Sequence, residues 1–239
     1  TIWYQIAYDE WVRDGGLSPK SNLKDYFFLN AKKFGVGKKT GIDLPGESIG
    51  RLPDRNWKEN YWKFLWEKFK SEINLTDDST LIDIGCGPAG IFMITAPFKT
   101  VAVDPLLSQY ENYLPHFNAA LYPNVKFVSL PFEEFETKEK FDVVFCMNAI
   151  NHFSEFENSF DKLCSLVKPN GKIIMTIDAH NFSFFKHLFR IVPGDILHPH
   201  QHSLNEYKSF FLKRNFTCTK EILLKREFIF NHFLLVFSC

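Results

Sequence analysis

The sequence has no excess charge of either sign, and it has little that would mark a membrane or secreted protein. Its 28 basic and 28 acidic side chains give a net charge of zero, which argues against nucleic-acid binding or attraction to anionic membranes. No apolar run reaches the roughly 20 residues that a membrane span needs, and no secretory signal is recognised. We therefore expect a cytoplasmic protein with no nucleic-acid partner, no membrane span and no obligate protein partner.

Cysteine is also scarce, and its spacing is uninformative for metal binding. The five cysteines include no Cys-x-x-Cys pair, and three of them lie in or beside strand-like runs. This distribution indicates reduced thiols rather than a disulfide framework or a zinc site. We expect no metal.

The chain changes in character near Trp57. Residues 1–56 hold most of the glycine-containing turn signals and lack a periodic apolar pattern that could build a core. Within them, residues 34–47 closely resemble a stretch of penicillin-binding protein transpeptidases. The large domain that carries the nucleophile of that family is absent, so the resemblance implies a fragment without transpeptidase chemistry. The expected division is a fragment at 1–56 and a second domain at 57–239.

Strand-like and helical segments alternate after a helix that begins at Trp57. An alternation of this kind predicts an α/β fold with a mostly parallel sheet, whose ligands bind at the carboxyl ends of the strands. Ser203 and Glu206 form a capping-box pattern at the start of the last helix. The predicted strands are 81–84, 100–103, 125–128, 142–146, 172–177, 217–224 and 228–237, and the helical candidates between them are 106–121, 156–167 and 204–214.

A glycine-rich turn follows the first predicted strand. Asp83 comes just before it, and Gly85, Gly87 and Gly90 supply a backbone that can turn sharply and approach a ligand closely. The next predicted strand also ends in an acid, Asp104. This order of turn and acid is typical of a nucleoside-binding α/β site.

These motifs resemble, in order, those of class I S-adenosylmethionine-dependent methyltransferases. The resemblance covers about residues 57–239 and rests on segments 83–90, 103–104, 141–148 and 166–172. It implies a Rossmann-like sheet of seven strands, mostly parallel, with a C-terminal antiparallel hairpin and helices on both faces. It also implies S-adenosylmethionine as cofactor and transfer of its methyl group to an acceptor, which we expect to be a small molecule.

The resemblance assigns roles to individual positions. Gly85 and Gly87 would lie against the amino-acid end of the cofactor, Asp83 would organise the loop or face the ammonium group, and Asp104 would accept the ribose hydroxyls. Asn148 would line the methionine part. The full set of expected cofactor-binding residues is Asp83, Gly85, Cys86, Gly87, Asp104, Pro105, Leu130, Phe132 and Asn148.

The adenine end departs from the family pattern. Pro131 stands where relatives often place an acid that binds the adenine amino group. We therefore expect backbone groups from Leu130 to Phe132 and apolar packing to hold the adenine, and we expect Glu133 and Glu134 to form a solvated helix start.

Two places could serve the methyl acceptor, and His152 and His200 are the candidate catalytic residues. His152 follows the fourth strand, although it could equally be a helix-start histidine bonded to a neighbour. His200 lies in a phenylalanine-rich insertion between Asp178 and Ser203, with two further histidines at alternate positions. We interpret this insertion as a lid over the pocket rather than as a metal site.

Two other functions fit parts of the pattern. An NAD-dependent oxidoreductase also uses a glycine turn and a downstream acid. However, an acid at Asp83 is unusual there, and the helix after the turn is short and interrupted by Pro97, which makes a poor pyrophosphate site. A catalytically silent methyltransferase-like binding module is the second alternative.

Overall fold

The computed structural model describes residues 55–114, 117–181, 202–226 and 230–239. Seven strands and five α-helices are found in these ranges. The strands are β1 (Thr80–Ile84), β2 (Lys99–Val103), β3 (Val125–Val128), β4 (Phe141–Met147), β5 (Val167–His180), β6 (Thr217–Arg226) and β7 (Phe230–Ser238). The helices are α1 (Arg55–Phe69), α2 (Phe92–Thr95), α3 (Leu107–Tyr113), α4 (Phe156–Ser165) and α5 (Leu204–Leu212).

The strands form one sheet in the order β3-β2-β1-β4-β5-β7-β6. Neighbours from β3 to β5 are parallel, whereas β7 runs antiparallel to both β5 and β6. The strand order reverses between β1 and β4, and open α/β sheets bind ligands outside the carboxyl ends of the strands at such a point. The predicted fold class is confirmed.

Side-chain alternation along β5 shows how the helices cover both faces of the sheet. Ile173, Met175 and Ile177 belong to a core that includes residues of α4 and α5. Ile174 belongs to a second core, together with residues of β7 and α1. The even-numbered side chains of β5 and β7 therefore lie on the α1 side of the sheet.

Most predicted elements agree with the structure to within a few residues, and the capping box at Ser203 and Glu206 is present. The helix predicted over 106–121 is wrong in length. It ends at Tyr113, and a separate 3-10 turn spans Ala119–Leu121. Leu114 is extended (φ −107°, ψ 107°), as the residue before a proline prefers to be, and Pro115 follows it.

Among the described helices, none combines the length and the apolarity that crossing a membrane requires. Residues 1–54, which include the segment that resembles penicillin-binding proteins, lie outside the described ranges.

Candidate active site

The turn after β1 has the backbone conformation that its glycines suggested. Gly85 and Gly87 have φ angles of 67° and 59°, in the left-handed region that side chains with a Cβ disfavour. The amides of Gly85 and Cys86 both donate to the carbonyl oxygen of Val103, across 2.8 and 3.2 Å. The turn is therefore fixed to the end of β2.

Gly87 and Gly90 have different reasons to be glycine. A Cβ on Gly90 would lie 2.4 Å from Oδ2 of Asp83 and 2.6 Å from the carbonyl oxygen of Cys86, so only glycine fits there without displacing its neighbours. A Cβ on Gly87 would meet no atom within 4 Å. Gly87 thus borders open space in which a ligand can approach the backbone.

Asp83 has one engaged and one unengaged carboxylate oxygen. Its Oδ2 accepts a hydrogen bond from the amide of Phe92 at 3.1 Å, whereas its Oδ1 is buried and has no hydrogen-bond partner among the described residues. Burial raises the pKa of Asp83 to about 7, the amides of Phe92 and Ile91 oppose this shift, and the negative charge of Asp104 adds to it. A buried carboxylate in this state is stabilised by a cationic partner.

Asp104 is completely buried at the end of β2, and it holds two loops together. Its Oδ2 accepts from the amide of Gly87 at 2.9 Å, and its Oδ1 accepts from the amide of Leu106 at 3.0 Å. Burial raises the pKa of Asp104, and these two hydrogen bonds lower it. The predicted ribose-binding acid therefore also has a structural role.

A cavity of about 250 Å³ opens at the carboxyl ends of β1 to β4. Four predicted site residues line it: Gly85, Pro105, Phe132 and His152. The other lining residues are Val103, Leu106, Pro131, Glu133, Phe153 and Ser154.

Six further predicted cofactor residues are not among those lining the cavity. Asp83, Cys86, Gly87 and Asp104 are buried in or beside the turn. Leu130 and Asn148 are exposed to solvent. Asn148 has a φ of 54°, and its amide donates to the carbonyl oxygen of Thr176 at 3.0 Å.

The expectation of a solvated helix start is right for Glu134, which is exposed in a short 3-10 turn, and wrong for Glu133. Oε1 of Glu133 accepts hydrogen bonds from the amide and the hydroxyl of Ser154, at 2.7 and 2.9 Å, and the side chain is half-buried at the cavity wall. The partner lies 21 residues further along the chain, in the segment after β4. The local pattern around Glu133 carries no signal of such a contact.

Helix α1 is attached to the glycine turn by a contact that the sequence did not indicate. Nε1 of Trp62 donates to the carbonyl oxygen of Ala89 at 2.9 Å. Trp62 also packs in the core on that face of the sheet. The helix before β1 therefore supports the turn directly.

Of the two candidate catalytic histidines, only His152 lies in the described residues. His152 is half-buried at the end of a short 3-10 turn and lines the cavity, whereas His200 lies outside the described residues. His202 stacks on Phe156, with ring centroids 4.7 Å apart. This third histidine of the alternating run is thus packed among aromatic side chains.

No group of three or more histidine, cysteine or acidic side chains suited to a metal ion occurs in the ranges that the structure describes. Most of the histidine-rich insertion, residues 182–201, falls outside these ranges.

Residues 27–221 match the model of a methyltransferase domain family. The chain belongs to this family. The match begins inside the segment 1–56, and the resemblance of that segment to penicillin-binding proteins finds no support in it. The expected boundary near residue 57 stays a prediction.

Known relatives of this methyltransferase include two proteins named ubiquinone biosynthesis O-methyltransferase. The one from Rickettsia prowazekii is 28% identical over 145 residues, covering 56% of this chain and 53% of its own length. The one from Rickettsia bellii is 31% identical over 120 residues, covering 48% and 49%. The chain spans about half the length of the curated relatives it matches.

Solved structures with the same fold include a protein from Galdieria sulphuraria named as a sarcosine dimethylglycine methyltransferase. It superposes with a TM-score of 0.66 at 12% identity, over 87% of this chain and 96% of that one. Coclaurine N-methyltransferase bound to N-methylheliamine and SAH gives a TM-score of 0.58 at 11% identity, over 83% and 74%. At these identities the two structures show that the chain has the same fold.

Proposed function

We propose that the turn at 85–90, Asp83 and Asp104 hold the amino-acid and ribose ends of S-adenosylmethionine, and that the methyl acceptor is a hydroxyl group of a small molecule. The observation that carries the donor site is the buried, unpartnered Oδ1 of Asp83 beside a turn that is open at Gly87. The residues present therefore fit a cationic amino-acid ligand.

Charge explains the role proposed for Asp83. The cofactor carries an α-ammonium group and a sulfonium, and a buried carboxylate with a free oxygen complements positive charge. The ammonium group is expected to lower the raised pKa of Asp83, so that the carboxylate is fully ionised in the complex.

We assign the ribose end of the cofactor to Asp104 because its carboxylate can accept further hydrogen bonds. An ionised carboxylate offers about four lone-pair sites, and the amides of Gly87 and Leu106 use two of them. The remaining sites can accept ribose hydroxyls without releasing either loop. Cys86 and Pro105 flank this position in the two loops.

Glu133 and Phe132 are proposed to hold the adenine end. Phe132 is nearly fully buried at the cavity wall and packs against Phe153, with ring centroids 5.2 Å apart. Glu133 lies beside it, so its carboxylate can accept a hydrogen bond from the exocyclic amino group of the base. It would replace the acid that Pro131 displaces. Leu130 would contribute only its backbone.

When bound, S-adenosylmethionine supplies an electrophilic methyl group on sulfur. The work of the protein is then to hold the acceptor in line with that group, which can account for most of the rate enhancement. Asn148 and His152 follow β4, next to the cavity, and we propose that they border the methionine part and the acceptor. We also propose His200, which lies in the insertion, as a candidate catalytic residue.

The proposed class of methyl acceptor is based on the names of the relatives and on the net charge of the chain. Both curated relatives are named for O-methyl transfer, and the net charge of zero offers no attraction to nucleic acid. A small-molecule hydroxyl fits both facts. A cytoplasmic location and action without an obligate protein partner belong to the same proposal.

Isothermal calorimetry with S-adenosylmethionine, S-adenosylhomocysteine and NAD tests the donor site. Both sulfur compounds should bind the full chain and NAD should not. Asp83→Asn and Asp104→Ala should each weaken binding by at least about tenfold, which corresponds to roughly 1.4 kcal/mol. Asp78→Ala is the matched control, because this acid is 98% exposed. Tight binding of NAD without binding of the sulfur compounds would overturn the proposal.

Residues 1–56 are proposed to contribute no group to the donor site. Deleting residues 1–50 keeps the whole of α1, which begins at Arg55. Unchanged affinity for S-adenosylhomocysteine would support this proposal. Because the family match begins at residue 27, a large loss of affinity would instead assign these residues to the methyltransferase domain.

A further inference from the structure

Two strands of the sheet run past the end of β4 at its carboxyl edge. Met147, the last residue of β4, is in register with Thr176 of β5. Strand β5 continues for four more residues to His180, and Asp178 in this extension is in register with His232 of β7. The two side chains thus stand beyond the end of β4, at the edge where open α/β sheets bind their ligands.

Asp178 and His232 form a hydrogen-bonded pair. Nδ1 of His232 lies 2.8 Å from Oδ1 of Asp178, and the side chains are 16% and 31% exposed, respectively. A neutral imidazole that donates Nδ1–H to a carboxylate carries its lone pair on Nε2. A carboxylate that orients a histidine in this way makes the other ring nitrogen a proton acceptor, as in hydrolase triads.

Aromatic side chains lie on the same side of the sheet as the pair. The even-numbered residues of β5 and β7 face α1, which carries Tyr61 and Trp62, and the ring of His180 lies 4.3 Å from that of Phe230. Burial and the negative charge of Asp178 both raise the pKa of Tyr61, which agrees with a position of Tyr61 close to the pair. Apolar rings of this kind suit an aromatic ligand.

The pair lies at the same edge of the sheet as the proposed donor site. Neighbouring strands lie about 4.8 Å apart, so β7 is about 14 Å across the sheet from β1, whose turn forms that site. Helix α1 is related to both places, because Trp62 is bonded to the glycine turn at Ala89 and the charge of Asp178 acts on the neighbouring Tyr61. The core packed under α1 is closed, so an acceptor between the donor turn and His232 would lie above the carboxyl edge of the sheet, beside α1.

We infer that His232 is the general base for an aromatic hydroxyl acceptor and that Asp178 is the residue that positions it. The inference rests on the proposed function and names the proton acceptor and the acceptor class. The hydroxyl oxygen forms a bond to the methyl carbon while its proton passes to Nε2 of His232. The electron pair of the breaking sulfur–carbon bond stays on the sulfur, and His232 then releases the proton to solvent.

A hydroxyl acceptor explains why such a pair is useful. A neutral amine attacks with its own lone pair and can lose a proton afterwards. A phenol, with a pKa near 10, is protonated at neutral pH and must lose its proton as it reacts, so a base in contact with it accelerates the reaction.

Two phenols that differ in ionisation test the inference. 4-Methylphenol is protonated at pH 8, whereas 4-nitrophenol is already ionised and needs no base. Transfer of labelled methyl groups from S-adenosylmethionine is measured for the full chain and for its His232→Gln and Asp178→Asn variants. Both variants should lower kcat for 4-methylphenol by about 100-fold or more, with KM changed only a few-fold. Turnover of 4-nitrophenolate should stay within about threefold.

The ionised substrate also serves as the control for folding, since a misfolded variant loses both activities. Lys225→Gln is a second control: Lys225 is the register partner of His232 on β6, and its replacement removes a nearby charge while leaving the pair intact. Its activity on both phenols should match that of the parent chain.

The inference is overturned by equal losses on the two phenols, by no loss on 4-methylphenol, or by a parent chain that binds S-adenosylhomocysteine yet methylates neither phenol. Failure to bind S-adenosylhomocysteine would refute the donor site itself, so the two failures can be told apart. An independent readout is the side-chain nitrogen NMR spectrum of His232. It should show the Nδ1–H tautomer in the parent chain and lose it in Asp178→Asn.

Discussion

The backbone amide of Gly87 donates a hydrogen bond to Oδ2 of Asp104 across 2.9 Å, and this contact joins two motifs that lie 17 residues apart in the chain. The other oxygen of Asp104 holds the amide of Leu106. One buried carboxylate therefore fixes the turn after β1 relative to the loop after β2. The relative position of the two halves of the proposed donor site depends on it.

Replacing Asp104 should reduce both stability and cofactor binding. Asp104→Ala leaves two buried amides without an acceptor, and each such group costs about 1–3 kcal/mol. Asp104→Asn can still accept one of these hydrogen bonds, so its loss in the free energy of unfolding should be smaller. Urea unfolding and calorimetry with S-adenosylhomocysteine measure the two effects. An Asn variant as stable as the parent chain would show that the carboxylate does not hold the loops.

Alanine at Gly87 and at Gly90 should distinguish the cost of a steric clash from the cost of a left-handed backbone conformation. Gly90→Ala places a Cβ 2.4 Å from Asp83, and the resulting displacement should cost several times more stability than Gly87→Ala. At Gly87 the cost is the left-handed conformation alone, about 1–2 kcal/mol. Gly87→Ala should remain folded but bind S-adenosylhomocysteine more weakly, because its methyl group enters the open space. Melting temperatures and calorimetry compare the pair, and a more stable Gly90→Ala would contradict the prediction.

The strands and the turn could be predicted because their signals are local. Segment 125–128, for example, is an alternating apolar run that matches β3, Val125–Val128, residue for residue. The helix end at Tyr113 was missed although Pro115 was visible, because the apolar pattern continued beyond it. Local periodicity is thus a better guide to the presence of an element than to its end.

The parts of the candidate site that depend on register could not be predicted. Glu133 contacts Ser154, which lies 21 residues further along the chain. Asp178 contacts His232, which lies 54 residues further along. Neither pair belongs to one local motif. Their approach depends on strand order and on how far β5 extends past β4. The local sequence pattern predicts neither the neighbours of a strand nor the length of β5.

The hydrogen bond from Trp62 to the turn should matter to both stability and binding. Trp62→Phe keeps an aromatic ring in the core but leaves the carbonyl oxygen of Ala89 without this donor, which should cost about 0.5–1.5 kcal/mol in addition to lost packing. The affinity for S-adenosylhomocysteine should fall, because the turn is less firmly held. Trp66→Phe, on the same helix, is the control and should leave affinity unchanged. If both variants bind S-adenosylhomocysteine with equal affinity, α1 does not support the proposed donor site.

The raised pKa of Asp83 predicts how stability depends on pH. Burial raises the pKa of Asp83 in the folded chain to about 7, against an ordinary value of 3.8. Between these values the folded chain keeps a proton that the unfolded chain has lost, so this group makes the folded state less stable as pH rises from about 4 to 7. The effect is of the order of 1.4 kcal/mol per pKa unit. Asp83→Asn should remove this slope. Urea unfolding of both proteins at pH 5 and pH 8 tests it, and a constant stability difference would contradict the prediction.

The same group makes cofactor binding depend on pH in the opposite sense. A cationic ligand prefers the ionised carboxylate, so the affinity of the parent chain for S-adenosylhomocysteine should increase between about pH 5.5 and pH 7.5. The ligand ammonium group stays largely protonated over this range, because in a free amino acid the neighbouring carboxylate stabilises the ammonium form. Binding near pH 6 should then release a proton from Asp83, which calorimetry detects as a heat that varies with the ionisation enthalpy of the buffer. Asp83→Asn should bind more weakly with a flat pH profile and no proton release. A parent chain that binds without releasing protons near pH 6 would mean that Asp83 does not face the ammonium group, and the amino-acid end of the cofactor would have to lie elsewhere along the turn.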